Sequence, residues 1–148
     1  MTQKQQVYLR VAEGLAGCQR IEFELKSYLG AAMELAKKCI GQTMPFHTSA
    51  KEFENCALER LIKNFKNYTN DADLVSALNN FKDERNYLAH QALTGLENPD
   101  GELDDQVVDS LHERVNRIES EAKRLAESVY SSAQNIWAQV WFYDLSDV

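Results

Sequence analysis

Apolar residues recur at helical spacing along most of the chain and predict four helices. The first runs from Gln3 to about Ile40, where successive positions advance by about 100° and the apolar ones fall on one stripe. That stripe comprises Val7, Val11, Leu15, Cys18, Leu25, Leu29, Ala32, Ala36 and Ile40. The following stretch, GQTMPFHTS, ends the helix because Pro45 cannot continue it.

The second helix is predicted to begin at Ser49, since Ser49 and Glu52 have the spacing of a capping box. Its apolar face is predicted to contain Phe53, Ala57, Leu58, Leu61, Ile62, Phe65 and Tyr68. The third helix is predicted to start near Asp71, whose side chain can cap the first turn, and to end near Gly95.

A tight turn around Pro99, Asp100 and Gly101 precedes the fourth helix, which is predicted to begin near Asp104. Its apolar positions keep a regular spacing and comprise Val108, Leu111, Val115, Ile118, Ala122, Leu125, Val129, Ile136 and Val140. Such regularity over so long a span predicts packing along one long partner helix or along another subunit. The aromatic-rich end, IWAQVWFYDL, is predicted to cover core or to form a dimer contact.

Four helices joined by short or moderate connections predict an all-α fold, an up-down bundle of four long helices. The low counts of 6 Gly and 2 Pro agree, because a strand-rich fold needs frequent turns. With 148 residues and no internal repeat or low-complexity tract, the sequence is expected to form one domain over 1–148.

The composition narrows the function classes without selecting one. A net charge of -7 argues against a broad electrostatic grip on nucleic acid, although it leaves room for a small basic cleft. Cys18, Cys39 and Cys56 form no CxxC pair, so buried thiols in a reducing compartment are expected rather than disulfides or a zinc site. The sequence has no apolar run of membrane-spanning length and no signal-peptide pattern. We therefore expect a soluble cytoplasmic protein with no membrane partner.

Two charged residues interrupt the apolar stripes. Arg85 falls at the centre of the stripe of the third helix, which contains Leu74, Leu78, Phe81, Leu88 and Ala92. Glu22 interrupts the first helix in the same way, between Cys18 and Leu25. Because a buried unpaired charge costs several kcal/mol, Arg85 and Glu22 are predicted to approach each other across the bundle. The planar guanidinium of arginine suits such a contact with a carboxylate.

The third helix also carries a polar strip beside its core stripe. Asn79, Asp83, Asn86 and His90 form this strip, and His90 lies about 140° around the helix from Arg85. A helix that carries a polar strip beside an interior arginine is predicted to form the wall of a cleft.

The segment RNYLAH at 85–90 resembles the Arg-polar-x(3–5)-His motif of the HEPN superfamily. Members of that superfamily are small all-helical bundles, and many are metal-independent RNases of toxin–antitoxin, abortive-infection and CRISPR systems. The motif is the specific part of the resemblance, while helix order and length extend it over most of the chain. Some antitoxin-paired members carry a tyrosine two residues after the histidine. This chain has Ala92 there, so modification by a nucleotidyltransferase antitoxin is not expected.

The resemblance implies which residues carry the function. His90 corresponds to the family's catalytic histidine, Arg85 to its partner and Asn86 to the polar residue after the arginine. Two subunits of a two-fold homodimer would share one composite site between their motif helices. Support from nearby side chains is expected at Glu22, Asp83 and Asn79, and contacts to RNA are expected at Lys63, Lys66 and Lys82.

The chemistry suits these residue types. RNA carries its own nucleophile, the 2′-OH, and a histidine with a pKa near about 6.5 can accept or return a proton at neutral pH. An arginine can hold the phosphate and stabilise the charge of the transition state, so the reaction needs no metal and no cofactor. The implied function is a metal-independent endoribonuclease that leaves 2′,3′-cyclic phosphate ends. It would be the effector of a toxin–antitoxin or phage-defence system, with a cognate antitoxin as partner.

A second function class stays open. The chain would then be a non-catalytic helical dimer that binds protein or RNA, with the long fourth helix and its aromatic end recruiting the partner. Arg85 and Glu22 would form a structural ion pair that fixes register, and His90 would hydrogen-bond within the interface. A ligand-binding bundle has little support, because no cofactor motif is present.

Overall fold

The computed structural model describes residues 1–146, and within that range it consists of helices joined by loops. The four helices are α1 (Gln3–Ile40), α2 (Leu58–Lys66), α3 (Ala72–His90) and α4 (Asp105–Ser146). A single 3-10 turn at Ala50–Phe53 precedes α2, and one isolated bridge joins Glu97 to Leu103. The predicted all-α class is therefore confirmed. No helix within residues 1–146 is long and apolar enough to cross a membrane.

The first helix has the predicted bounds, and its start is fixed by a capping box. The Thr2 side chain accepts a hydrogen bond from the Gln5 backbone N–H at 3.2 Å, and the Gln5 side chain accepts one from the Thr2 backbone N–H at 2.9 Å. At the other end, Lys37 and Lys38 lie in the last turn, where positive charge stabilises the helix dipole.

The predicted start of the second helix at Ser49 is wrong. The Ser49 side chain makes no cap hydrogen bond, and the chain forms only a 3-10 turn before α2 begins at Leu58. Phe53 and Cys56 are nevertheless buried, because the irregular backbone between the turn and α2 turns both side chains toward the core. Two members of the predicted apolar face are exposed: Ala57 precedes α2 and Tyr68 follows it. With nine residues, α2 is also not a long helix.

The third helix starts as predicted but ends earlier. The Asp71 carboxylate accepts a hydrogen bond from the Leu74 backbone N–H at 3.0 Å and so caps α3. The predicted end near Gly95 is wrong, since the helix stops at His90. Gly95 instead lies in the loop that follows, where its φ of 77° requires a residue that tolerates the left-handed region.

The loop before the fourth helix contains the predicted turn. Gly101 has a φ of 84°, and its N–H donates to the Asn98 carbonyl at 2.8 Å. The Asp104 carboxylate then accepts hydrogen bonds from the N–H groups of Gln106 and Val107, at 3.0 and 3.3 Å. The predicted start of α4 near Asp104 is therefore confirmed.

The helix directions differ from the predicted up-down order. Contacts between α1 and α4 advance in the same direction along both helices, through the pairs Arg10–Glu119, Gly17–Ala122, Ser27–Trp137 and Lys38–Asp144. The two longest helices therefore run parallel, whereas an up-down bundle would make them antiparallel. The reason is that the chain after α1 runs back along α1 as a loop and not as a long helix. It places Ala50 against Gly30 and the Glu54 carbonyl 2.9 Å from Lys26 Nζ.

The third helix runs antiparallel to α1 and packs closely on it. A Cβ atom at Gly14 would lie only 2.9 Å from a methyl carbon of Leu88, so the glycine permits this close approach. The core lies along the seams between the four helices, with α2 packed on α1 and α3. It includes most of the predicted stripe of α1 and almost all of that of α4, and burying each large side chain contributes about 1.5–3 kcal/mol. Ile40, at the end of the predicted stripe, is exposed.

The cysteines and the aromatic end only partly follow the predictions. Cys18 and Cys56 are buried as expected, but Cys39 is exposed, and none of the three forms a disulfide. In the predicted core-covering end of α4, Val140 is buried and Trp137 is half-buried. The side chains beyond them are exposed, so the last two turns of α4 do not cover the core of their own chain.

Candidate functional site

The predicted approach of Arg85 and Glu22 is confirmed. Arg85 Nη2 lies 4.0 Å from Glu22 Oε1 across the α1/α3 seam, and the two side chains are 32% and 19% exposed. Neither charge is fully removed from water, so the cost of burying each one is smaller than the sequence implied. The pair is a loose electrostatic contact at the edge of the core, and it involves no hydrogen bond between the two side chains at this separation.

Cys18 lies behind this pair and makes the inner side of the site apolar. Its thiol is almost fully buried, and burial raises its pKa to about 11. The positive charge of Arg85 opposes this rise and the negative charge of Glu22 adds to it. The thiol is therefore protonated and unreactive at neutral pH, which leaves Arg85 and Glu22 as the charged groups of the seam.

The polar strip of α3 faces solvent. Asn79, Asp83, Asn86 and His90 are all exposed. The cavities beside α3 lie along its seam with α4 and are lined by other residues. In one copy of the chain the strip is therefore an open surface, and the predicted cleft wall has no opposite wall.

Arg85 and His90 lie on different sides of α3. Five residues of helix separate them by about 140° and by about 7.5 Å along the axis. Arg85 points toward Glu22 on α1, while His90 is exposed at the last residue of the helix. A single chain therefore presents the two side chains in different directions.

One side of the α1/α3 seam is uncovered next to Arg85. Lys82 Nζ lies 4.0 Å from Glu59 near the start of α2, and α2 extends from there away from the C-terminal end of α3. Beyond Lys82 the seam is exposed to solvent, and it presents a surface that we call the open α1/α3 face. Its residues are Tyr8, Glu22, Arg85, Ala89 and Leu93.

Part of this open face is apolar. Tyr8 and Leu93 are both substantially exposed, and they line one cavity of about 180 Å³ beside the Lys4–Glu97 ion pair. Ala89, one turn after Arg85, is exposed as well. An exposed apolar surface next to a half-buried charge pair is typical of a contact site.

The structure does not gather the three predicted RNA-binding lysines at the motif. Lys82 lies one turn from Arg85, but Lys63 and Lys66 lie near the end of α2. That end packs on α1 through Phe65, whose ring centroid is 4.7 Å from that of Tyr28. Tyr28 is six residues beyond Glu22, a rise of about 9 Å along α1.

A second arginine contact, on the α3/α4 seam, was not predicted from the sequence. Arg114 donates from Nε and Nη2 to the two carboxylate oxygens of Glu84, both at 3.0 Å. Its guanidinium also lies 3.4 Å from the centroid of the Tyr87 ring. Hydrogen bonding to Glu84 raises the pKa of Arg114. The motif that identifies Arg85 does not include any residue of α4. The only hint in the sequence was Glu84, the acidic residue directly before Arg85, which needs a positively charged partner.

Within residues 1–146 no group of three or more His, Cys, Asp or Glu side chains is arranged to hold a metal ion. Comparison with protein-family models finds no match, and searches of curated proteins and of solved structures find no significant match either. Because an all-helical bundle serves many functions, the side chains of the site must carry the argument for function.

Proposed function

We propose that the chain is a metal-independent endoribonuclease that acts as a two-fold homodimer. Arg85, Asn86 and His90 of the two copies would form one composite site, as the resemblance to the HEPN superfamily implies. The observation that carries the proposal is the position of Arg85, held by Glu22 at the edge of an open face, on the same helix as the exposed Asn86 and His90. From the same resemblance we propose that the chain is a cytoplasmic effector of a toxin–antitoxin or phage-defence system and that a cognate antitoxin binds it.

The loose contact with Glu22 leaves Arg85 able to bind a phosphate. Within residues 1–146 its side chain makes no direct hydrogen bond to another residue, and a guanidinium has five N–H donors. Glu22 at 4.0 Å orients the arginine without occupying those donors. A phosphodiester arriving from solvent could therefore accept two parallel hydrogen bonds from Arg85.

The proposed reaction is attack of the RNA 2′-oxygen on the adjacent phosphorus. His90 takes the proton of the 2′-OH as the new oxygen–phosphorus bond forms, and the 5′-oxygen leaves with a proton returned by a histidine. Arg85 stabilises the additional negative charge on the phosphate oxygens in the transition state. Asn86, exposed one position after the arginine, is placed to donate to a phosphate or base oxygen. The products are a 2′,3′-cyclic phosphate and a free 5′-OH.

A second copy supplies the geometry that one chain lacks. The proposal requires that the two α3 helices meet across a two-fold axis in an arrangement that brings His90 of one copy to Arg85 of the other. Tyr8, Ala89 and Leu93 would supply apolar contacts around that meeting point. The opposite wall of the cleft would then come from the partner copy.

The alternative, a non-catalytic helical dimer that binds protein or RNA, is favoured by one observation. Arg85 already has a carboxylate as its neighbour, so the pair could serve only to fix the position of α3 on α1. In that case His90 hydrogen-bonds within the dimer interface, and replacing it changes no RNA cleavage.

RNA cleavage in excess EDTA tests the proposal. We expect the wild type to cleave single-stranded RNA to 2′,3′-cyclic phosphate ends, and His90→Ala to lose about 10²–10⁴-fold of the rate without loss of thermal stability. His47→Ala is the matched control, because His47 is an exposed histidine in the loop after α1. Equal cleavage by wild type and His90→Ala would refute the assignment of His90. No cleavage by wild type on varied RNAs would favour the non-catalytic dimer.

A further inference from the structure

The far ends of α1 and α4 form a two-helix tip with little core of its own. The last buried residue of α1 is Met33, and in α4 only Val140 is buried after Ala133. α2 ends beside Tyr28, well before the end of α1. We define the tip as residues 34–40 of α1 and 134–146 of α4.

The tip exposes large apolar side chains along one side of α4. Trp141, Phe142 and Leu145 are 60%, 69% and 74% exposed, and at about 100° per residue they fall within an arc of about 100°. Ile40 and Met44 add exposed apolar surface from the end of α1 and its loop. A contiguous exposed apolar surface of this kind is typical of a contact with another chain.

A groove lies directly beside these side chains. It has a volume of about 450 Å³, more than one aromatic side chain occupies. Small residues and aromatic rings line its centre, namely Ser27, Gly30, Ala50, Trp137, Val140 and Trp141, and the charged side chains of Lys26, Glu34, Lys38 and Asp144 complete its lining. The same surface thus offers both projecting aromatic side chains and a groove to receive them, which is the self-complementarity that a two-fold contact requires.

The charge distribution favours a second copy as the occupant. The whole chain has a net charge of -7, so two copies repel each other over most of their surfaces. In the tip segments Lys37 and Lys38 balance Glu34 and Asp144, and Lys38 forms an ion pair with Asp144. Two copies therefore meet with the least repulsion at their tips, whereas a highly charged partner would gain nothing from a neutral surface.

We propose that the tip docks on the tip of a second copy, forming a four-helix contact that encloses the aromatic end of α4. Fully buried aromatic side chains contribute about 150–250 Å² each, so Trp141 and Phe142 at their observed exposure offer roughly 100–150 Å² each. With Leu145, Ile40 and Met44 the exposed apolar area comes to roughly 500–650 Å² per copy, and the polar side chains around it would supply the rest of the roughly 800 Å² per partner of a stable interface. The contact is separate from the open α1/α3 face and does not rest on ribonuclease activity.

Cys39 provides a built-in reporter of this contact. It is the one exposed cysteine of the three and lies in the tip, while Cys18 and Cys56 are buried. We expect a short-arm bismaleimide to crosslink two copies of the wild type through Cys39. Leu145→Asp should reduce that crosslinking about tenfold or more and halve the mass of the assembly in sedimentation. Leu9→Asp is the matched control, since Leu9 is also exposed but lies near the other end of α1.

The outcomes separate this contact from the proposed active-site dimer. Leu93→Asp, on the open α1/α3 face, should leave the Cys39 crosslink intact. Equal crosslinking in the wild type, Leu145→Asp and Leu9→Asp would overturn the proposal, and so would a wild-type protein that fails to crosslink and sediments as a monomer at every concentration. Loss of the crosslink in Leu93→Asp but not in Leu145→Asp would assign the contact to the open face instead.

Discussion

Two arginines on the two sides of α3 engage carboxylates in opposite ways. Arg114 makes two hydrogen bonds of 3.0 Å to Glu84 and stacks on Tyr87, so two of its five N–H donors and its face are engaged by its own chain. Arg85 lies 4.0 Å from Glu22 and makes no such pair of bonds. An arginine with a bidentate partner serves packing between helices, whereas a loosely held one at an open face can bind a ligand.

The difference between the two arginine contacts follows from where Glu84 and Arg85 lie on α3. Glu84 and Arg85 are consecutive residues, yet they point to different neighbours because adjacent helix positions lie about 100° apart. The α3/α4 seam is thus closed by a strong polar contact. The α1/α3 seam ends in a charged group that is only partly satisfied. We infer that α3 is anchored by its Glu84 side and functional on its Arg85 side.

Exchanging the two arginines for alanine should separate catalysis from stability. We expect Arg85→Ala to lower the rate of RNA cleavage about 10²–10³-fold, because the transition-state charge loses its donor. Its effect on the free energy of unfolding should stay under about 1 kcal/mol, since the ion pair is long and partly exposed. Arg114→Ala should leave cleavage within about twofold once the protein is folded.

The free energies of unfolding of the two variants should differ in the opposite sense to their cleavage rates. Arg114→Ala should lower the free energy of unfolding by about 1–2 kcal/mol, because it removes a bidentate pair and a cation–π contact. A 148-residue chain should then lose roughly 2–8 °C of Tm in calorimetry. A double-mutant cycle with Glu84→Gln checks the origin of the loss. Additive effects in that cycle would contradict a structural role for the pair.

Glu22→Gln tests whether the carboxylate orients Arg85. We expect a fall in kcat of about tenfold with a smaller change in KM, because the amide retains the shape of the side chain but loses the charge that holds the guanidinium. Glu22→Asp should recover part of the loss. A purely structural pair would instead change Tm and leave kcat unaltered, so thermal unfolding is measured on the same preparations.

Replacing Glu24, one turn from Arg20 on α1, should have the smallest effect of these substitutions, and that effect is on the free energy of unfolding. Burial raises its pKa above the ordinary 4.5, and Arg20 opposes the rise. The penalty therefore falls on the ionised form: it is absent below the ordinary pKa and grows as pH rises through the raised one. Glu24→Gln should stabilise the protein at pH 7 by up to about 1 kcal/mol and lose that advantage near pH 4. Exposed Glu127→Gln is the control, and an equal gain for both variants would contradict the role of burial.

Features set by neighbouring residues were predictable from the sequence. The bounds of α1 follow from the length of its apolar stripe and from Pro45, and the cap of α3 follows from Asp71. The approach of Arg85 and Glu22 was predictable as well, because each interrupts an otherwise apolar stripe. These predictions needed only helical periodicity and the cost of an isolated charge.

Features that depend on the path of the chain were not predictable in this way. Phe53 and Phe65 have spacing compatible with one continuous helix, yet a 3-10 turn and a loop bury Phe53 equally well. The chain therefore returns along α1 as a loop, where a second long helix was expected. Because of this, α4 runs parallel to α1. Arg114 was missed as a stabilising residue because its partners, Glu84 and Tyr87, lie on another helix.

Mixing two inactive variants tests whether two copies build the composite site together. Arg85→Ala and His90→Ala should each be inactive alone. If Arg85 of one copy acts with His90 of the other, the wild-type dimer has two such pairs, and a heterodimer of the two variants keeps one of them intact. Half of the dimers in an equal mixture are heterodimers, so after subunit exchange the mixture should recover about a quarter of the wild-type cleavage rate in EDTA. A mixture as inactive as its components, beside an active wild type, would contradict the composite site.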